Sequence, residues 1–540
     1  MRHVETDIAV IGGGLGGVAA ALAATRAGHR VLLSEETAWV GGQLTSQGVP
    51  PDEHPWIEQF GCTASYRQLR DGIRDYYRQW YPLTARARAN RALNPGDGRV
   101  SRICSEPRVG HAVLEAMLAP ARSADRLDVR LHHRPVAATA DGSQVTSVTL
   151  RDATSGEDVV VTAPYILDAT ETGDLLPLTG TEYVTGFESQ ADTGEPSAPS
   201  ERQPANMQAV SWCFALDHEE GADHTIDKPE NYAFWRDFQP PYWPGRMLEL
   251  VAPNPRTLEP MHRTVIPHPE DDPSLAGTGV GRRGDQDLWT FRRILARHQF
   301  EPGAFASDIC LVNWPMIDYE RGSVFPVDGL VDEAEAAGHL EGAREMSRSF
   351  VYWLQTEMPR VDGGTGLPGL RLRPDVMGTH DGLAMAPYIR ESRRIVAEYT
   401  VVEQDVSLAV RGEQGAKRYA DSVGIGSYRI DLHPSTGGDN YIDVGSCPFQ
   451  IPLGALLPVR VTNLLAANKN IGTTHITNGC YRLHPPEWNI GESAGLLAAY
   501  CLDHRVTPHQ VRADETQLSD FQRVLTQHGV EIAWPDVHGY

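Results

Sequence analysis

Three glycines near the N-terminus have the spacing that binds the phosphates of a dinucleotide. Gly12, Gly14 and Gly17 fit the pattern G-x-G-x-x-G, with Leu15 and Gly16 between the last two. In this pattern the first glycine permits a tight turn, the second lets a pyrophosphate approach the backbone, and the third lets a helix pack on a strand. The N-terminus of that helix offers N–H groups and a partial positive charge to the phosphates. The spacing therefore predicts a dinucleotide site.

An acidic residue follows at the distance that such a site requires. Glu35 comes directly after the apolar run 31–34, about twenty residues beyond the glycines, where a carboxylate accepts hydrogen bonds from a ribose diol. Glu36 is the alternative acceptor. A glycine-rich turn that merely packs tightly is the competing interpretation. The strand before the turn, the helix after it and the acid together favour the nucleotide.

The remaining elements follow from apolar patterns and turn signals. Residues 129–167 predict a small antiparallel group of strands. Residues 468–489 predict a long loop before a helix that begins at Gly491, and Ser65 is predicted as the N-cap of a helix over 65–80. The other predicted elements are strands over 7–11, 30–34 and 461–467 and helices over 15–27 and 111–122.

The chain divides by composition into four parts. Residues 1–180 and 441–505 carry the pattern of one α/β nucleotide-binding domain that is split in the sequence. Residues 181–440 are rich in proline, tryptophan and tyrosine and lack the βαβ rhythm, which indicates an α+β substrate or cap domain. Residues 506–540 predict a C-terminal helix and tail.

Composition argues against several classes of partner. A net charge of −23 argues against nucleic acid or an anionic membrane, since both require a basic surface. No apolar run approaches the ~18 residues of a membrane span, and the first strand begins too close to Met1 for a signal peptide. The seven cysteines are scattered without a C-x-x-C pair, which predicts no metal site and fits reduced thiols. We therefore expect a cytoplasmic protein.

Five sequence blocks, in this order along the chain, resemble the FAD-dependent oxidoreductase family of the glutathione-reductase-like superfamily, on the side of the fumarate reductases. The resemblance implies FAD as the cofactor and a Rossmann-like FAD-binding domain, split in the sequence, beside the cap domain. The blocks are the glycine turn with Glu35, Gly41 to Thr45, Ile166 to Thr170, Ile389 to Arg394, and Asn463 to Leu502.

The resemblance also implies further contacts with the cofactor. In such proteins the segment after the second strand lies along the pyrophosphate and the flavin, and the final helix points its N-terminus at the pyrimidine edge of the flavin. Reduction adds negative charge at that edge, and a helix N-terminus stabilises negative charge. The sequence departs from the family at Asn468 and Lys469, where Gly-Arg is common, and at Glu171, where glycine is common. The further contacts implied are Gly42, Gln43, Leu44, Thr45, Val136, Ala169, Thr170, Asn489, Ile490 and Gly491.

Five residues of the later blocks are candidates for chemistry at the flavin, which needs a base or a hydrogen-bond partner beside the hydride donor. His475 and His484 lie in the loop that the resemblance places across the flavin, and their alternative is a surface position. His433, with Tyr428 in the same block, is an acid, a base or a structural hydrogen-bonding residue. Lys469 either stabilises reduced flavin or superoxide, or is a solvated loop residue.

Three arginines are candidates for contact with the substrate. Arg390 and Arg393 are three residues apart, so they share one face if this segment is helical. Two roles are open for this pair: ion pairs that hold the cap against the FAD-binding domain, or binding of a substrate carboxylate. Arg482 is the third candidate, because it lies between His475 and His484.

The residues and the resemblance together predict an FAD-dependent oxidoreductase, an oxidase or a dehydrogenase. It would take a hydride from a C–OH, C–N or C–C bond of a small organic substrate onto flavin N5 and pass the electrons to O2 or another acceptor. One alternative is an NAD(P)H-dependent flavin monooxygenase, although a second dinucleotide fingerprint is missing. Another is an isomerase, hydratase or lyase that uses FAD without net redox change. A homodimer is a possible assembly.

Overall fold

The computed structural model describes residues 2–539. Most of its strands belong either to one parallel sheet or to antiparallel sheets. The strands are β1 (Arg2–Glu5), β2 (Ile8–Ile11), β3 (Val31–Ser34), β4 (Leu127–Arg130), β5 (His133–Asp141), β6 (Gln144–Asp152), β7 (Asp158–Thr162), β8 (Tyr165–Asp168), β9 (Tyr183–Val184), β10 (Val210–Ser211), β11 (Phe214–His218), β12 (Val251–Pro253), β13 (Pro260–His262), β14 (Arg293–Leu295), β15 (Ile309–Val312), β16 (Asp318–Tyr319), β17 (Leu370–Leu372), β18 (Arg394–Ile395), β19 (Ser422–Gly426), β20 (Ile430–Leu432), β21 (Ile442–Val444), β22 (Phe449–Pro452) and β23 (Leu464–Ala466).

Helices connect and cover these strands. They are α1 (Leu15–Arg26), α2 (Ala64–Trp80), α3 (Ala85–Ala89), α4 (Pro107–Ser123), α5 (Leu175–Thr179), α6 (Gln190–Thr193), α7 (Tyr232–Asp237), α8 (Leu288–Phe291), α9 (Glu333–Thr356), α10 (Pro374–Met377), α11 (Glu403–Val406), α12 (Leu408–Arg411), α13 (His475–Tyr481), α14 (His484–His504), α15 (Pro508–Ala513) and α16 (Glu515–Gln527). No helix within residues 2–539 is long and apolar enough to cross a membrane.

A five-stranded parallel sheet forms the centre of the nucleotide-binding half. Its order is β23-β8-β2-β3-β4, so that strands from both ends of the chain meet in one sheet. The strands β2, β3 and β8 are buried at every residue, as expected where helices cover both faces of a parallel sheet. The predicted α/β class and the split Rossmann-like domain are confirmed.

Two helices rich in small residues, α1 and α14, pack tightly against each other beside this sheet. A Cβ at Gly491 would overlap the backbone of Gly16, and a Cβ at Gly495 would overlap the backbone of Ala20. Only glycine permits this approach. The glycines of α14 therefore serve helix packing, although in the sequence they resemble a cofactor-binding segment.

The antiparallel strand group predicted within residues 129–167 forms in part, because β4 and β8 at its two ends belong to the parallel sheet instead. The strands β5, β6 and β7 are antiparallel, and β1 joins β7 in parallel, so this small sheet lies outside the main one. The cap has its own antiparallel sheet in the order β14-β15-β11-β17, with a separate apolar core that includes α9 residues such as Phe350. The α+β character predicted for the cap is confirmed.

Several predicted boundaries are wrong. Residues 468–489 are not a long loop, because α13 and the start of α14 lie there. The N-cap of α2 is Thr63, whose side chain accepts from the N–H of Tyr66, while Ser65 lies inside the helix and donates to Glu492 (2.6 Å). The tail forms two helices, α15 and α16, instead of one.

Candidate functional site

The glycine turn joins β2 to α1, and its three glycines have different neighbours. A Cβ on Gly12 would overlap the carbonyl group of Ala169, and a Cβ on Gly17 would overlap that of Gly12. These two positions need glycine for packing, and Gly12 also has a φ of +103°. A Cβ on Gly14 would instead face side chains, with Glu171 Oε1 nearest at 2.7 Å. Gly14 is therefore the glycine that opens toward polar groups.

Glu35 reaches back to the turn, as its spacing predicts. Its Oε2 accepts a hydrogen bond from the N–H of Gly13 (3.0 Å), and its Oε1 accepts from the N–H (2.8 Å) and the hydroxyl (2.7 Å) of Thr37. Burial raises the pKa of Glu35 to about 7. A carboxylate accepts about four hydrogen bonds, so one position remains for a ribose hydroxyl. The neighbouring Glu36, the alternative acceptor, is exposed.

Two carboxylates of the chain lie against the N-terminus of α1. The N–H of Gly16 donates to Glu487 Oε1 (3.2 Å). Glu171 Oε1 lies between the glycine turn and the segment at Gly42, because a Cβ on either Gly14 or Gly42 would contact it. A helix N-terminus attracts anions through its free N–H groups and its dipole. Carboxylate oxygens of the chain thus lie where the sequence predicts the pyrophosphate.

Lys469 supplies positive charge to the same region. Its Nζ pairs with Glu171, and Glu487 Oε2 lies 3.6 Å away. Although burial lowers the pKa of Lys469, the two carboxylates outweigh burial and raise it above its ordinary value. Glu171 Oε1 and Gln43 Oε1 are buried without a hydrogen-bond partner. The N-terminus of α1, the ammonium group and the unsatisfied oxygens fit FAD, which carries both anionic phosphates and hydrogen-bond donors.

The other predicted FAD contacts surround the turn. Ala169 packs against it, and Thr170 donates its hydroxyl to the carboxylate at the end of β8 (2.7 Å). Leu44 and Thr45 are buried next to α4, and Val136 lies half-buried on β5. Their contact with FAD stays a prediction.

The prediction that Asn489, Ile490 and Gly491 form a helix N-terminus at the flavin is wrong. The helix α14 begins at His484, so these residues lie inside it. Asn489 forms hydrogen bonds of 3.2 Å with two backbone groups of β19, and Gly491 packs against α1. The physical reason is a pair of prolines in the first turn, where a missing N–H group leaves no hydrogen bond unmade.

His484 stands at the N-terminus of α14 with both ring nitrogens engaged. Its Nδ1 accepts from the N–H of Asp52 (3.2 Å), so Nε2 carries the proton that points to Val49 O (3.1 Å). Burial lowers the pKa of His484 to about 3. The imidazole is therefore neutral and has no nitrogen free to take a proton.

His475 lies apart from the other candidate histidines. It is buried, stacks on Phe187 with 4.1 Å between ring centres, and places Nδ1 2.9 Å from Glu391 Oε2. These contacts give it a structural position at the start of α13.

A cavity of about 1130 Å³ lies next to the N-terminus of α14. It reaches Asp52, whose backbone holds His484, and it is also lined by Tyr428 and His433. Clefts and cavities with a few convergent polar groups are the usual sites for small ligands. Of the five candidates for chemistry, the structure brings Tyr428 and His433 to this cavity.

His433 is held by a buried carboxylate. Its Nδ1 lies 2.6 Å from Asp318 Oδ2, and its Nε2 lies 3.7 Å from Asp431 Oδ2. Asp318 also accepts from Arg390 (3.0 Å) and Ser211 (2.5 Å). Although burial raises the pKa of Asp318, Arg390 and His433 outweigh burial and hold it at about 2. Burial, followed by the charge of Arg390, lowers the pKa of His433.

The predicted pair of arginines does not share a helical face, because the chain is extended there and enters β18. Arg390 donates to Asp318 and lies inside the cap. Arg393 donates to the carbonyl of Thr172 (2.9 Å) and that of Pro326 (3.1 Å), so it links the nucleotide-binding half to the cap. Of these two arginines only Arg390 is close to the cavity, because it bonds Asp318, which in turn bonds His433.

Arg482 lies between the cavity and the region of Gln43. Its Nη1 donates to the hydroxyl of Tyr388 (2.6 Å) and its Nη2 to the carbonyl of Asp431 (3.0 Å), while Nε is buried without a partner. Gln43 in turn donates to the carbonyl of Arg482 (3.1 Å). These bonds connect the predicted flavin segment to the wall of the cavity.

Three residues of this site escaped the sequence reasoning: Asp52, Arg292 and Asp318. Asp52 and Arg292 lie in irregular segments and Asp318 begins the two-residue strand β16, with no motif around any of them. The one signal is at Asp318, an acidic residue inside the largely apolar run 309–319, since an acid in such a run is rarely buried without a partner.

Comparison with known proteins gives the family. The model of the family described as FAD dependent oxidoreductase matches residues 7–525. No curated protein matches the sequence.

Solved structures resemble the chain at low identity. A geranylgeranyl bacteriochlorophyll reductase-like protein from Thermoplasma acidophilum is 10% identical over 98% of this chain and 85% of its own, with a TM-score of 0.31. The flavin-dependent monooxygenase PieE, solved with FAD and substrate, is 19% identical over 40% of this chain and 36% of its own, with a TM-score of 0.23. L-proline dehydrogenase from P. horikoshii is 16% identical over 35% of this chain, with a TM-score of 0.19, and the match spans 25% of that protein.

Proposed function

This chain belongs to the FAD-dependent oxidoreductase family, and we propose that it takes a hydride from a small organic molecule held in the cavity beside His433. The observation that carries the proposal is the hydrogen bond between His433 and Asp318, made at the wall of the cavity next to the N-terminus of α14.

The bond to Asp318 fixes the tautomer of His433. Because Asp318 is ionised, Nδ1 of His433 carries the proton and donates it to the carboxylate, which leaves Nε2 as the acceptor. A buried carboxylate that orients an imidazole in this way produces a general base. The lowered pKa of His433 keeps the ring unprotonated at neutral pH, as a base requires.

The proposed substrate carries a hydrogen-bearing carbon bonded to O–H or N–H. FAD, when bound, supplies the acceptor for the hydride that leaves this carbon. His433 Nε2 takes the proton of the O–H or N–H group, and the substrate gains a C=O or C=N bond. The two electrons later leave to O2 or to another acceptor.

Other residues of the site bind and shield this step. Tyr428 is half-buried at the cavity wall, and loss of hydration there raises its pKa well above the ordinary value, so its hydroxyl stays protonated and is available to donate a hydrogen bond. The N-terminus of α14, at His484, favours negative charge at the edge of the cavity. Glu35, Lys469 and the turn at Gly14 would hold the ribose and the phosphates of FAD.

An anaerobic spectral test distinguishes this function from its two alternatives. The FAD-loaded protein is mixed separately with NADPH and with a panel of alcohols, amines and hydroxy acids. We expect an organic compound alone to bleach the flavin absorbance and air to restore it. Bleaching by NADPH alone would instead indicate a monooxygenase. Product formation with no bleaching at any stage would indicate an isomerase, a hydratase or a lyase.

A further inference from the structure

The charges around the cavity divide into paired and unpaired groups. Most acidic side chains at its wall are already in ion pairs: Glu53 with Arg70 (2.8 Å), Glu58 with Arg74 (2.6 Å), Asp285 with Arg263 (3.0 Å), Asp431 with Arg482 (3.4 Å), and Asp443 with Arg429. Among the lining arginines, Arg99, Arg102 and Arg292 form no ion pair within residues 2–539. These three arginines are therefore the lining cations left free for a ligand, although the whole chain has a net charge of −23.

Arg292 is the inner member of these three arginines. Arg99 and Arg102 are exposed at the mouth, whereas Arg292 is half-buried and its Nη1 is fully buried without a hydrogen-bond partner. A guanidinium group has five N–H donors, and a buried donor without a partner destabilises the folded protein. Arg292 thus lines the cavity with an unpaired charge and at least one unsatisfied donor.

The position of Arg292 places this unsatisfied donor close to the proposed chemistry. Its charge acts on Asp52 and on Tyr428, and both residues line the same cavity. Asp52 is the one lining acid without an ion pair in the described part of the chain, and burial raises its pKa. No carboxylate of residues 2–539 forms an ion pair with Arg292, so its charge is available to a ligand.

We propose that the substrate carries a carboxylate and that Arg292 binds it. A planar guanidinium matches a carboxylate with two parallel hydrogen bonds, and one inner arginine matches one negative charge. The exposed Arg99 and Arg102 attract such an anion to the mouth against the negative charge of the protein. The inference rests on the proposed function only in taking this cavity as the substrate site.

Binding of simple carboxylates tests the inference without turnover. Benzoate and succinate are titrated into the FAD-loaded protein beside benzamide and succinamide, with calorimetry and the flavin absorbance as readouts. We expect each acid to bind at least about tenfold more tightly than its amide. Arg292→Gln should remove this preference, and Arg292→Lys should retain part of it. The matched control is Arg256→Gln, at an exposed lining arginine near Asp443 (3.7 Å), which should keep the full preference.

Two results would overturn the inference: equal binding of acid and amide by the unaltered protein, or an unchanged preference in Arg292→Gln at normal FAD content. Inorganic phosphate that competes as well as benzoate would also overturn it, because the site would then bind any oxyanion. These outcomes are separate from failure of the proposed function, which would appear as a flavin that no organic compound bleaches.

Discussion

His433 Nδ1 lies 2.6 Å from Asp318 Oδ2, although 115 residues separate them in the chain. The contact joins the short strand β16 to the segment that follows β20. Arg390 and Ser211 complete the hydrogen bonds of the Asp318 carboxylate, so its position does not depend on the substrate. Asp318 is a positioning residue, and His433 is the group it holds at the cavity.

Asp318→Asn should lower kcat by about 100-fold or more, because a neutral amide no longer fixes the tautomer of His433. The FAD content should stay normal, since Asp318 lies outside the glycine turn. Steady-state kinetics and the absorbance spectrum of the purified variant measure both effects. Asp443→Asn, which changes a carboxylate that lines the cavity without contacting His433, should keep most of the activity. A kcat for Asp318→Asn equal to that of the original chain would contradict the assigned role.

The pH dependence of kcat/KM should show the unprotonated form of His433 as the active one. Burial lowers the pKa of His433 below its ordinary value of 6.5, so the rate should stay constant as pH falls to about 6.5 and decrease only below that. Removing the charge of Asp318, which raises the pKa of His433, should move the decrease to still lower pH. A decrease centred above pH 7 would exclude His433 as the base.

Glu35→Ala should reduce FAD occupancy strongly. The substitution removes the acceptor predicted for the ribose and also the bond that orders the N–H of Gly13. Loss of a charged hydrogen bond costs about 1.5–3 kcal/mol, which corresponds to at least a tenfold weaker affinity for FAD. Glu36→Ala is the matched control and should retain FAD. Equal yellow colour in both purified variants would remove the assignment of Glu35.

Glu195→Gln should make the stability of the protein less dependent on pH. Burial raises the pKa of Glu195 from 4.5 to about 7, so the folded chain binds more protons than the unfolded chain in this range. Its contribution to stability is complete below pH 4.5 and is lost as pH rises through about 7. At pH 8 the variant should therefore be more stable, by at most about 3 kcal/mol.

Urea denaturation at pH 5 and pH 8 measures this difference. Glu201→Gln is the control, because Glu201 is exposed in the same segment. Parallel behaviour of the two variants at both pH values would show that Glu195 ionises normally in the folded protein.

The nucleotide-binding half was largely predictable because its signals are local. The glycines at 12, 14 and 17 and Glu35 act within one βαβ unit, so their spacing determines their geometry. The start of α14 was missed although Pro485 and Pro486 at positions two and three of a helix are a recognised start signal. The small residues after these prolines favour a helix start at Gly491 in the sequence. In the structure those residues serve packing against α1.

The cavity was not predictable in the same way. Its key residues come from four separate segments, most of them irregular: Asp52, Arg292, Asp318 and His433. Periodicity reports which face of a helix or strand is buried, but it carries no information on which distant loops meet. His475 and His484 illustrate the point, because both are buried by contacts far away in the sequence.

The most direct test of the account compares the unaltered protein and His433→Asn in an anaerobic stopped-flow instrument. Each FAD-loaded protein is mixed with the organic compound that bleaches the flavin in the screen, and the bleaching rate is recorded. We expect His433→Asn to bind FAD and the compound normally but to bleach at least about 100-fold more slowly. An equal bleaching rate in the two proteins would contradict the claim that His433 accepts the proton when the hydride leaves.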